Sequence, residues 1–264
     1  MNVIVCVKQV PGTNEVRINK ETNTIIREGV ESILNPFDAY AVEEGLRIKD
    51  KTSGKVTVIS MGIPSVTDIL KETIALGVDE AVLLSDRAFA GADTLATSYA
   101  LSMGIRKIGS YDLIICGKQA SDGDTAQVGP SLAEKLAIPH ATNIRKIEEL
   151  KEGYIRCQRL TDDGYEVIEM TLPAVITVVK EINEPRLPSL KGMMRAKKAS
   201  IPIWTAADVG ADTDRCGLKG SPTQVIKTFT PVHDVKSELI GGEPSEQVSK
   251  LVEKLLSMKF MKCV

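Results

Sequence analysis

Residues 111–136 read YDLIICGKQASDGDTAQVGPSLAEKL, and their grammar decides the fold. Leu113 to Cys116 is an apolar run of strand length, Gly117 breaks it, a loop of small and polar residues follows, and the remainder has helical spacing. Asp124 or Thr125 is the expected helix cap, and the first turn carries no bulky side chain. Such a strand–loop–helix gathers unpaired backbone N–H groups and the positive end of a helix dipole at one point, which suits a phosphate. The spacing matches neither GxGxxG nor a Walker loop. Asp122 and Asp124 would repel a phosphate unless the loop amides face it while these side chains cap the helix or accept from a ribose hydroxyl. An ordinary βα turn with a good cap accounts for the same residues, and on the residues alone the two readings stand level.

Upstream, the same alternation repeats. Val3 to Val7 is a continuous apolar run, as expected of a parallel strand buried on both faces. Val16 to Ile18 and Thr24 to Ile26 flank a polar turn and predict a small hairpin. Asn35-Pro36 starts a helix, with Asp38 in its first turn. Val56 to Ile59 is a strand, Ser65 caps a helix ended by Gly77, and Ala81 to Leu84 is a strand. The loop SDRAFAGAD leads to a helix opened by Asp93 or Thr94 and closed before Gly109. This predicts an α/β fold with an open, mostly parallel sheet and flanking helices. Right-handed crossovers put the loops Lys8 to Gly12, Ser60 to Pro64, Ser85 to Asp93 and Gly117 to Thr125 on one edge, where a ligand site is the default expectation.

After Pro139 the pattern changes. Thr142 to Ile147, Tyr154 to Leu160, Tyr165 to Leu172 and Ala174 to Val179 predict strands joined by tight turns, read as an antiparallel addition to the sheet. KEINEPRLPSL carries two prolines and is irregular, and GMMRAKKA predicts a short basic helix. Glu243 to Lys262 is an amphipathic helix after an extended tether, with Val248, Leu251, Val252, Leu255 and Leu256 on one stripe. It docks either on its own domain or on a partner.

A formal charge of -2 draws the chain neither to nucleic acid nor to an anionic membrane. No apolar run approaches ~20 residues, so no membrane span is expected. The five cysteines, Cys6, Cys116, Cys157, Cys216 and Cys263, show no CxxC spacing and favour a reducing, cytoplasmic setting. Two histidines, His140 and His233, leave a multi-histidine metal site or a catalytic triad unexpected. No metal site is expected.

VCVKQVP, LNPFDAYAVEEGLRIKD, GKQASDGDTAQVGP and NEPRLPSLKGMMRAKK together resemble the beta subunit of electron-transferring flavoproteins, over nearly the whole chain. The resemblance implies an adenine-nucleotide alpha-hydrolase-like α/β domain at 1–225, including a recognition loop at 184–198. It also implies a C-terminal arm at 226–264 that docks on an alpha subunit. In one branch of the family the beta subunit holds AMP. In the electron-bifurcating, anaerobic branch it holds FAD, which takes hydride from NADH; one electron goes to ferredoxin or flavodoxin, the other through the alpha-subunit FAD to an acyl-CoA dehydrogenase. Gly123 and the run DRAFAGADTLATS resemble the FAD-binding form. No catalytic side chain is implied, because the flavin carries the chemistry.

By the same resemblance, nucleotide contacts fall on Cys6 through its backbone, on Asn35, on Met61, and on the loop from Gly117 to Val128. Within that loop, Gln119 and Gln127 offer amides to phosphate or ribose, Asp122 and Asp124 organise the turn, and Ala120, Gly123, Thr125 and Ala126 are further contact positions. Asp93, Thr94 and Thr97 stand at the start of the helix after SDRAFAGAD, with the threonine hydroxyls one turn apart and able to bond phosphate or ribityl oxygens. Each has a plainer reading: Cys6 as a core thiol, Asn35 and Thr94 as caps, the glutamines as solvated loop residues. Phe89 or Tyr40 is expected to wall the nicotinamide space. Leu190 matches the leucine that inserts into a partner dehydrogenase, flanked by Arg195, Lys197 and Lys198 for steering; its plainer reading is a leucine folded onto its own domain. An ATP-binding ligase or sensor on a similar sheet is the competing class; it would need a loop such as SGGxDS, and SDGD lies in the wrong order and place.

Overall fold

The computed structural model describes residues 1–12, 17–19, 24–26, 31–226, 237–258 and 260. Its strands are β1 (Asn2–Cys6), β2 (Gln9–Pro11), β3 (Arg17–Asn19), β4 (Thr24–Ile26), β5 (Ser32–Leu34), β6 (Lys55–Met61), β7 (Glu80–Leu84), β8 (Leu113–Gly117), β9 (His140–Lys151), β10 (Tyr154–Thr161), β11 (Gly164–Thr171), β12 (Ala174–Val178) and β13 (Ile203–Trp204). The helices are α1 (Pro36–Thr52), α2 (Val66–Leu76), α3 (Thr94–Ile108), α4 (Val128–Leu136), α5 (Leu190–Lys198) and α6 (Pro244–Ser257). Val16 of the expected hairpin and Lys262 of the expected terminal helix lie outside the described residues, as does Cys263.

Nine strands form one sheet in the order β11-β10-β9-β12-β8-β1-β6-β7-β13. Alternation within β1 feeds two cores. Val3 and Val5 pack with α1 and α2 on one face, while Ile4 and Cys6 pack with α3 and α4 on the other. Strands β13, β7, β6, β1, β8, β12 and β9 run parallel along the sheet. The expectation of an antiparallel later half is therefore corrected in part: β10 pairs antiparallel with β9 and β11, but β12 is parallel to both its neighbours. Ala174 to Val178 is buried at every position and apolar except for Thr177, which fits a central strand better than a hairpin arm.

The chain moves outward from β1 to β6 and β7, then returns through α3 to place β8 on the other side of β1. The order thus reverses between β1 and β8, the switch point at which open α/β sheets hold ligands in a crevice between the departing loops. Cys6 pairs with Cys116 and Ile59, Met61 with Leu84, and Gly117 with Val178, so all these carboxyl ends share one edge. The chain divides into a unit at Met1–Ile226 and a second at Lys227–Val264 that contains α6. In the latter, Val248, Leu251 and Val252 of α6 are exposed. Among the described residues, no helix is long and apolar enough to cross a membrane.

Candidate functional site

The crevice is framed by the loops after β1 and β8, and the start of α1 lies beneath both. Asn35 is 1% exposed and occupies the cap position of α1 without bonding the helix through its side chain. Its Nδ2 donates to Gln119 O at 2.9 Å, and its Oδ1 accepts from Ser121 N–H at 3.1 Å. The expected cap is in fact a tie across 84–86 residues that shapes the loop after β8. Both ends of the amide are engaged, so the side chain positions the loop.

Asp38, one turn into α1, accepts from Lys8 N–H at 2.7 Å and from the Gly117 N–H. It joins the second residue after β1 to the last residue of β8. Burial pushes its carboxyl up to about 7, against the pull of the Asn35, Lys8 and Gly117 donors. Higher up, Lys8 Nζ reaches Asp122 Oδ1 at 2.6 Å and bridges the same loops. Both side chains are partly exposed, so this ion pair aligns the loops and contributes little stability.

The loop itself differs from the expectation at its exit. α4 begins at Val128 with Gln127 in the cap position, so neither Asp124 nor Thr125 caps it. Asp124 and Ala126 adopt left-handed backbone, with φ of 50° and 55°, and the helix starts only after both. The Asp124 carboxylate instead accepts from Gln119 Nε2, which turns this acid inward on the loop. Gly123 and Asp124 N–H close a turn on Ala120 O, and Gly123 has no atom near its absent Cβ. Left-handed Ala126 followed by right-handed Gln127 curls consecutive amides into a concave donor group. Among the described hydrogen bonds, the N–H groups of Thr125, Ala126 and Gln127 have no acceptor.

Next along the edge, Asp93 caps α3 by accepting from Leu95 and Ala96 N–H at 2.9 and 3.0 Å. Desolvation of this carboxylate is outweighed by the donors around it, which hold it below the usual range. Thr94 and Thr97 are half-buried, and their hydroxyls have no partner among the described hydrogen bonds. Phe89 is buried among the α3 and α4 core residues, so it anchors its loop and does not line an open wall. Tyr40 packs on the opposite face of the sheet, and its carbonyl accepts from Asn183 Nδ2.

Cys6 is buried at the end of β1, beside Cys116. The bond with the Cys116 thiol, and then burial, push its own thiol well above the usual value and keep it neutral. Its side chain is core, leaving only the backbone for a ligand. Met61 ends β6, half-buried against the α3–α4 core. Two buried polar atoms without partners lie near this edge: Gln9 Oε1 after β1 and Ser60 Oγ beside Met61. Ser60, Gln9, Lys8 and Asp38 were not identified from sequence. Asp38 was visible there only as an acid suited to a helix N-terminus.

The recognition segment is fastened at its base. Arg186 Nε donates to Glu43 Oε2 at 2.8 Å and Arg186 Nη2 to Asp50 Oδ2 at 3.0 Å, while Asn183 Nδ2 donates to Glu44 Oε2. Beyond it Leu187 is 89% and Leu190 78% exposed, so Leu190 is not folded back onto its own domain. Ser189 caps α5 by accepting from Gly192 N–H. Lys197 and Lys198 are exposed, but Arg195 donates to Ile74 O and Val78 O at the end of α2. Its guanidinium is thus engaged within the domain.

The chain is 52% identical over 258 residues to an electron transfer flavoprotein subunit beta of Thermoanaerobacterium thermosaccharolyticum, covering 97% of this chain and 98% of that one. Residues 22–209 match the electron transfer flavoprotein domain. The chain belongs to the electron transfer flavoprotein family, as a beta subunit. A second relative of this family is the caffeyl-CoA reductase-Etf complex subunit CarD of Acetobacterium woodii, 49% identical over 97% of this chain and 98% of that one. Protein FixA of Azorhizobium caulinodans is 44% identical over 88% of this chain and 85% of its own. Membership in the family carries with it a flavoprotein role in electron transport and an alpha-subunit partner.

Proposed function

We propose that this beta subunit holds an FAD along the carboxyl edge of its sheet and serves as the NADH entry point of an electron-bifurcating complex. The observation that carries this reading is the extent of unpaired donors. They comprise the amides of Thr125 to Gln127 after β8 and also the hydroxyls of Thr94 and Thr97 at the start of α3. An adenylate needs only the first set; a dinucleotide has phosphate and ribityl oxygens for both. The orphaned Ser60 Oγ and the open space at Gly123 fit the same group.

When bound, FAD supplies the hydride acceptor for NADH and the one-electron chemistry that serves ferredoxin or flavodoxin and, through the alpha-subunit FAD, an acyl-CoA dehydrogenase acting as an enoyl-CoA reductase. The chain's own residues bind and orient. Asn35 and Asp38 fix the two loops, the 125–127 amides receive phosphate, and the apolar ends of β1, β6 and β8 exclude water beneath. No side chain of this subunit acts as acid, base or nucleophile. The similarity to a subunit of a caffeyl-CoA reductase-Etf complex supports the same reading.

Residues 1–225 are the nucleotide-binding domain, and residues 226–264 form an arm that docks the apolar stripe of its own helix α6 on the alpha subunit. Leu190, on a base fixed by Arg186, is the anchor for the dehydrogenase, with Lys197 and Lys198 steering towards acidic residues. Anaerobic titration of the heterodimer with NADH tests the proposal. Reduction of two flavins, one in each subunit, is expected; bleaching of the alpha-subunit flavin alone, or of none, would overturn it.

A further inference from the structure

The loop Ser85 to Asp93, which walls the site next to α3, is held from behind by a later stretch of chain. Ala206 N–H donates to Asp86 Oδ2 at 3.0 Å at one end of the loop. At the other end, Asp93 N–H donates to Ser221 Oγ at 2.8 Å, while Thr223 N–H and Oγ1 donate to Asp93 Oδ2 at 3.2 and 2.8 Å. Between them, Leu218 N–H donates to Ala90 O at 2.9 Å. Gly217 approaches so closely, at φ of 54°, that a Cβ would lie 2.3 Å from Ala88 O. Asp212 N–H donates to Tyr99 Oη at 2.9 Å, and Arg215 stacks on the Tyr99 ring, which ties the stretch to α3 as well. Ser221 is itself locked by donating to Gly217 O at 2.7 Å.

Asp93 is therefore divided between two tasks. One carboxylate oxygen holds the first turn of α3 through Leu95 and Ala96 N–H, and the other holds Thr223, three residues before the domain unit ends at Ile226. We propose that Ala206 to Thr223 is a brace whose last link, Asp93 with Ser221 and Thr223, couples occupancy of the cofactor site to the seating of the chain that leaves the domain. Asp93 is a positioning residue in this scheme and touches no reacting atom. This rests on the proposed placement of FAD beside Thr94 and Thr97.

A ligand held by the Thr94 and Thr97 hydroxyls needs the first turn of α3 intact, and that turn is capped by Asp93 alone. Release of Thr223 frees the carboxylate to rotate away from Leu95 and Ala96, and the turn frays. Whatever stabilises the turn must then stabilise the Thr223 link by the same factor. Thr223 is exposed, so replacing it leaves the core untouched.

The test is amide hydrogen exchange on the intact heterodimer, stripped of nucleotide in the beta subunit and then reloaded with FAD. FAD is expected to slow exchange at 93–98 and also at 216–223. Thr223→Val should abolish the second protection and speed FAD release about tenfold, as expected for losing a hydrogen bond to a carboxylate. Ser221→Ala serves as the second variant, with the same expected direction. Protection at 93–98 without change at 216–223, or wild-type FAD release in both variants, would overturn the coupling and leave the FAD assignment standing. Absence of protection at 93–98 would overturn the FAD placement itself, and the coupling with it.

Discussion

Gly117 and Asp38 leave no room between them: a Cβ on Gly117 would lie 2.3 Å from Asp38 Oδ1 and within 2.8 Å of two Phe37 atoms. The end of β8 therefore sits directly on the start of α1, and the crevice above inherits its shape from that contact. Gly117→Ala forces α1 and β8 apart. Overpacking of this kind costs about 1–3 kcal/mol, so the melting temperature should fall by several degrees with nucleotide binding weakened in parallel. Unchanged thermal stability in Gly117→Ala would show that the contact is slack.

The Asp38 carboxyl makes stability depend on pH with a defined sign. Its pKa is raised by burial from 3.8 to about 7, so its contribution to folding is full below pH 3.8 and lost as pH rises through 7. Asp38→Asn cannot ionise and escapes that loss. Relative to wild type, the variant should gain on the order of 4 kcal/mol between pH 4 and pH 8. Urea unfolding of the purified chain, followed at Trp204, its single tryptophan, measures this. Parallel pH profiles for the two proteins would mean that Asp38 titrates as an ordinary carboxylate.

Asn35→Ala should weaken both binding and stability, because a buried side chain with two loop bonds is lost. Asn35→Ala removes the donor to Gln119 O and the acceptor for Ser121 N–H, leaving two polar groups of the loop to water. At about 1–3 kcal/mol, the weakening of FAD affinity should be about tenfold or more. Fluorescence titration of the stripped heterodimer with FAD reads it directly. Wild-type affinity in Asn35→Ala would show that the loop holds its form without this tie.

The recognition segment separates docking from folding. Leu190 is exposed, so Leu190→Ala should slow electron transfer to the dehydrogenase while leaving NADH oxidation and melting temperature unchanged. Arg195→Ala should instead lower the melting temperature, because its guanidinium serves the carbonyls of Ile74 and Val78. Equal effects of the two substitutions on docking would argue that Arg195 reaches the partner as well.

Much of this architecture was legible in the chain because it rests on local signals. The apolar runs at Val3 to Val7, Val56 to Ile59, Ala81 to Leu84 and Leu113 to Cys116 became the parallel strands, and Asp93 and Gly77 stand at the helix ends where capping chemistry put them. The misreadings came where a local signal competes with a distant one. Asn35-Pro36 looks like a helix cap from its neighbours, whereas its amide is claimed by residues 119 and 121. Asp124 has the composition of a cap, but two left-handed residues delay α4 past it. β12 follows an antiparallel hairpin in sequence and yet pairs in parallel, a choice set by β8 and β9. The brace at 206–223 shows no hydrophobic period, and only its contacts with the Asp86–Asp93 loop reveal it.

The central claim is that the beta-subunit site accommodates a flavin dinucleotide and not an adenylate alone. Quantifying nucleotides released from the purified, denatured heterodimer tests it most directly. Two FAD per heterodimer and no AMP is the predicted result; one FAD together with one AMP would contradict it.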